Sequence, residues 1–92
     1  MHQGKLAESE TALRAAIQLK PEFPPARNGL GHALRLLRRF PEAVAEYRQA
    51  ISLKPDYAEA YYNLGIALED QAHWQRGPLQ AVHRLNGNSL IQ

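Results

Sequence analysis

Four histidines, His2, His32, His73 and His83, are the side chains of this chain best suited to hold a metal. Zinc sites draw on histidine pairs at short helical spacing or on cysteines. Here the histidines sit on separate segments, no His-x3-His pair occurs and cysteine is absent. They read as surface or inter-helix residues, and neither a metal nor another cofactor is expected. Glu69 and Asp70 are adjacent, so on a helix they diverge instead of facing one bond. Ser9, Ser52 and Ser89 have no nearby histidine with an orienting acid. Gly29 and Gly31 lie among residues with a helical pattern, so no phosphate-cradling loop is formed. Nothing in this set supports catalysis, and no enzyme is expected.

Two features suit recognition. Arg27, Arg35, Arg38 and Arg39 form the one basic cluster. A nucleic-acid surface would add aromatic platforms or a longer basic stripe. The net charge is only +2, from 11 basic and 9 acidic residues, so a polyanion partner is not expected. The cluster reads as a solvated helix end, where cations are favourable. Asn63 is the second feature, because its amide both donates and accepts, as a peptide bond requires.

These groups must be carried by one small domain, since the chain has 92 residues. A hydrophobic share of 45% with 22% charged suits a folded chain over a disordered one. No apolar run approaches the roughly 20 residues of a membrane helix, and no apolar signal segment follows Met1-His2-Gln3-Gly4-Lys5. A cytoplasmic location without membrane partners is the corresponding expectation.

The architecture is written in a repeat. Sliding the chain by 34 residues pairs Ala16/Ala50, Ile17/Ile51, Leu19/Leu53, Lys20/Lys54, Pro21/Pro55, Ala26/Ala60, Leu30/Leu64, Gly31/Gly65, Ala33/Ala67 and Leu34/Leu68 as identities. Tyr61, Leu64, Gly65, Leu68 and Ala72 step by three and four, which places them on one helix face. Leu30, Gly31 and Leu34 do the same one unit earlier. A second stripe runs Phe40, Ala43, Val44, Tyr47, Ala50 and Ile51, and its predecessor runs Leu6, Ser9, Leu13, Ala16 and Ile17. Pro21 and Pro55 stop the helices before them, and Pro41 is tolerated in a first turn. Asp56 with Glu59 reads as a helix cap. The pattern predicts an all-α chain of about five helices over 4–20, 24–38, 41–54, 57–72 and 78–85, the last starting late because Pro78 would break a longer one. Leu79, Val82 and Leu85 would point inward there, and Asn86-Gly87 would end it. Loss of Leu64 to alanine should cost about 2–4 kcal/mol.

Asn-Leu-Gly-Ile-Ala-Leu at 63–68, Phe40 with Ala43, Tyr47 and Ala50, and Leu53-Lys54-Pro55-Asp56-Tyr57 together resemble the tetratricopeptide repeat (TPR). The resemblance divides the chain into a second helix of a partial repeat at 4–23, a complete repeat at 24–57 and a degenerate third repeat at 58–91. It implies a right-handed stack of helical hairpins, with Gly31 and Gly65 admitting close helix approach and Trp74 standing where Phe40 stands. It also implies a protein-interaction scaffold whose first helices line a concave groove for a peptide or protein segment. That face carries Asn28, Gly29, His32, Arg35, Leu36 and Arg39 in one unit, and Glu59, Tyr62, Asn63, Ile66, Glu69 and Asp70 in the next. Relatives that hold extended peptides use an asparagine at the place of Asn63, but Gly29 interrupts any ladder. Glu59 and Asp70 speak against capture of a C-terminal carboxylate. Arg35 and Glu69 are repeat equivalents and are expected to pair. Two hairpins and a half leave the ends bare, so the alternative reading is a homo-oligomer formed through those ends.

Overall fold

The computed structural model describes the backbone of residues 2–91 and the side chains of residues 4–74. The chain forms α1 (His2–Leu19), α2 (Pro24–Leu36), α3 (Phe40–Leu53) and α4 (Ala58–Ile91). Each helix packs on the next along the chain, and α2 also touches α4, two elements on. Thus α3 lies behind a pair of neighbouring first helices, α2 and α4.

One turn occurs twice. Leu-Lys-Pro-acid-aromatic ends α1 and α3 alike, with each helix stopping two residues before its proline. The Lys20 and Lys54 amides donate to the Ala16 and Ala50 carbonyls at 2.8 and 2.9 Å. Their ammonium groups lie 5.0 Å from the Phe23 ring and 5.9 Å from the Tyr57 ring. The next helix then starts from the carbonyl of that aromatic residue. Asp56 accordingly stands outside the first turn of α4 and meets Lys54 Nζ at 3.3 Å, so it does not act as the expected cap. Prolines fit the starts: Pro24 and Pro25 open α2 and Pro41 follows Phe40, where amides have no intrahelical partner anyway.

The turn from α2 to α3 is tighter. Arg39 N–H donates to Leu34 O and Arg38 N–H to Arg35 O, both at 2.9 Å. This closure puts one residue in the left-handed region, and Arg38 takes it with φ 65° where glycine is usual.

Leu30, Leu34, Ala43, Val44, Tyr47 and Ala67 form the core, with Leu13, Ile17 and Leu64 packed at its edge. Tyr47 is completely buried. A Cβ added at Gly31 would stand 2.7 Å from the Tyr47 ring, so the absence of a side chain there is what lets α3 settle on α2.

The third repeat differs from the expectation. The predicted helices 57–72 and 78–85 are one helix, giving four helices in place of five. A proline inside a helix removes one hydrogen bond, whereas stopping and restarting leaves four carbonyls and four amides without helical partners. Continuity through Pro78 and through Asn86-Gly87 keeps those groups paired. The side chains of Leu79, Val82 and Leu85 lie outside the described residues. Because α4 runs straight on, no second helix folds back over its first half within the described residues. Gly65 therefore has open space around it, and Tyr61 and Leu68 are 51% and 39% exposed instead of inward. Leu64 is only half-buried, so its loss should cost less than that of its buried equivalent Leu30.

Candidate functional site

Two side-chain bridges join α2 to α4. Asn63 Nδ2 donates to Asn28 Oδ1 at 3.1 Å, and Arg35 Nη1 donates to Asp70 Oδ2 at 3.3 Å. Asn28 and Arg35 are seven residues apart, as are Asn63 and Asp70, so one stripe of α2 faces one stripe of α4. Both bridges run from residue i to i+35. This corrects the expected pairing of Arg35 with Glu69. Repeat equivalents on parallel neighbours point in the same direction, and contact falls to the position about 100° further round. Glu69 stays exposed.

The groove residues proposed from sequence thus divide. Asn28 is buried at 7% exposure and spends its carbonyl on Asn63. His32, Leu36, Glu59, Tyr62 and Glu69 are open, while Arg35, Asn63, Ile66 and Asp70 are intermediate. Tyr62 is 71% exposed and Leu36 46%. Gly29 has a separate role: a Cβ there would be 3.3 Å from a Leu13 methyl, so it seats α1 on α2.

At the C-terminal end of α2 lies a cleft of about 330 Å³ lined by Arg35, Leu36, Arg38, Phe40, Asp70, His73 and Trp74. The left-handed turn at Arg38 carries its guanidinium to 5.6 Å from the Trp74 ring centroid. Trp74 lies 6.5 Å from Phe40 at a 57° tilt, yet remains 51% exposed. Sequence placed Trp74 in the packing. It reaches Phe40, but with no helix folded over it one side stays wet. Arg35 Nε and the Tyr47 hydroxyl are buried without hydrogen-bond partners. Burial pushes the Tyr47 phenol above its usual range, with the Arg35 guanidinium opposing it.

The arginine cluster is engaged. Arg27 meets Glu46 at 3.0 Å, Arg39 meets Glu42 at 2.7 Å and Glu10 at 2.9 Å, and Arg35 and Arg38 have the partners named above. A polyanion would have to displace these contacts. The Arg39 guanidinium holds the Glu42 carboxyl below its usual range, assisted by Arg14, and Arg39 is raised in turn. A carboxyl lowered by folding stabilises above its unfolded value and loses that contribution as pH falls through the folded one. Both side chains are well exposed, so screening limits the effect to at most about 1 kcal/mol. Glu42→Gln is expected to lower Tm at neutral pH by up to about 4–8 °C and to leave Tm unchanged at low pH, which flattens the acid limb of Tm against pH. An unchanged acid limb would remove this pair from the account.

Among the described residues no group of three or more His, Asp or Glu side chains is placed to hold a metal ion. No helix is long and apolar enough to cross a membrane among them either. A family model for the TPR repeat matches residues 31–72. Residues 31–72 belong to the tetratricopeptide-repeat family. The TPR match starts inside α2, takes in all of α3 and stops within α4, just before the cleft tryptophan. TPR units are non-enzymatic modules that mediate protein–protein interaction. No curated protein and no solved structure matches the chain.

Proposed function

We propose that the chain is an interaction scaffold that holds a peptide or protein segment along the α2/α4 face. The observation that carries this reading is the exposure of Tyr62 and Leu36 on helices already locked side by side by the Asn63–Asn28 and Arg35–Asp70 bridges. A 71% exposed tyrosine contributes little to the fold, whereas rigid aromatic anchors are what interfaces use most. Ile66, Glu59, Glu69 and His32 frame it, and the adjoining cleft takes one partner side chain on an apolar floor of Phe40 and Trp74. Asp70 already pairs with Arg35 in this cleft, which leaves Arg38 at the rim to favour an acidic partner residue. Asn63 retains an amide oxygen and one N–H for the partner backbone.

The test is selection of binders from a displayed random peptide library, followed by remeasurement on a Tyr62→Ala, Leu36→Ala double variant. Affinity is expected to drop at least about tenfold, or 1.4 kcal/mol, with helix content unchanged. Peptides that bind the double variant equally well would place recognition elsewhere.

A second reading, favoured by the bare faces of α1 and α4, is that the chain also associates with itself through its ends.

A further inference from the structure

Within the chain, α3 rests on α2 through two specific contacts. Tyr47 fills the space over Gly31, and Glu46 pairs with Arg27 at 3.0 Å. By the 34-residue shift α1 corresponds to α3, and α4 corresponds to α2. Among the described residues α1 therefore has no first helix of its own unit beside it, and no second helix folds over α4. Their burial differs accordingly from that of α3 and α2. Gly31 is buried and Gly65 open; Leu34 is 0% exposed and Leu68 39%; Ala43 is 0% exposed and its equivalent Ser9 is exposed. Leu19 stands 88% exposed where Leu53 is half-buried.

The substitutions at the two ends match one another. Arg27 becomes Tyr61 on α4, and Glu46 becomes Ala12 on α1. Had one member of the ion pair been kept, joining the ends would strand a charge. Both are gone, and a large apolar ring now stands opposite a small residue. At the other contact Gly65 is retained, and Leu13 stands in the place of Tyr47 with ample room over it. Ser9 and Ala16 keep that side of α1 small where Ala43 and Ala50 are small.

We infer that α1 of a second copy docks on α4 in the way α3 docks on α2, head to tail, with Tyr61 against Ala12 and Leu13 over Gly65. This rests on the self-association reading and specifies its geometry. The two surfaces joined are different, so each added copy presents the same free α4 face again, and growth stops only by ring closure.

Two complementary variants test it. Leu68→Glu spoils the α4 face and leaves α1 intact; Ser9→Glu spoils the α1 face and leaves α4 intact, and two like charges cannot rescue the spoiled junction. By light scattering the wild type is expected to gain mass with concentration. Each variant alone should stay monomeric with wild-type helix content. Their equimolar mixture should double in mass and stop there, since only one productive junction remains. A wild type that is monomeric at every concentration overturns both self-association and this geometry. A wild type that associates while either variant still dimerises alone means like-with-like pairing, which overturns head-to-tail docking but leaves self-association standing. If a variant fails to fold, thiol cross-linking decides, because the chain has no cysteine of its own. Ala12→Cys and Tyr61→Cys chains mixed with a short bis-maleimide should give mainly the mixed dimer. A preponderance of like dimers refutes the geometry.

Discussion

Tyr47→Ala is expected to remove about 3–5 kcal/mol of stability and to leave the chain largely unfolded under mild heating. The ring is completely buried and fills the space over Gly31 between α2 and α3. A chain of 92 residues has about 5–14 kcal/mol to lose, and a short stack has few other contacts with which to compensate. Tyr47→Phe separates the ring from its hydroxyl. That hydroxyl is buried beside the Arg35 guanidinium without a well-formed hydrogen bond, so its deletion should change stability by no more than about 1 kcal/mol. Denaturant melts of the two variants give the comparison directly. Equal losses would mean that the hydroxyl and not the ring holds the hairpin.

The two repeat-equivalent glycines should answer the same substitution with opposite signs. Gly31→Ala places a methyl 2.7 Å from a buried ring that has nowhere to go, an overpacking cost of about 1–3 kcal/mol. Gly65→Ala meets nothing within 4 Å, and alanine in a helix interior gains up to about 1 kcal/mol over glycine. The measurement is a pair of urea melts at a concentration low enough to exclude association. If Gly65→Ala destabilised as Gly31→Ala does, a helix would be folded over α4, and the open face described above would not exist.

The ten identities between Ala16–Leu34 and Ala50–Leu68 at a shift of 34 residues were enough to define the hairpins. It did so because apolar positions at three- and four-residue steps admit only a helix, and prolines at fixed offsets end it. The groove was legible less well. Sequence listed its faces, but equal positions in a repeat share a direction. Only packing showed that Arg35 reaches Asp70 and that Asn28 is consumed by Asn63. The cleft beside Trp74 gave no sequence signal at all, since it depends on a left-handed arginine at the α2–α3 turn.

By itself the amino-acid sequence determined the all-helical class, the repeat period, and the small and large residues that interlock α2 with α3. The tertiary structure alone decided that, among the described residues, the third unit stays open. Local pattern specifies which face of α4 is apolar, and it specifies nothing about whether a partner covers that face. Helix continuity through Pro78 loses one hydrogen bond, while folding back would need a turn and a second apolar stripe that residues 75–92 do not supply in the repeat's pattern. Gly31 and Gly65 are identical in sequence, and their environments differ only because one has a helix beside it.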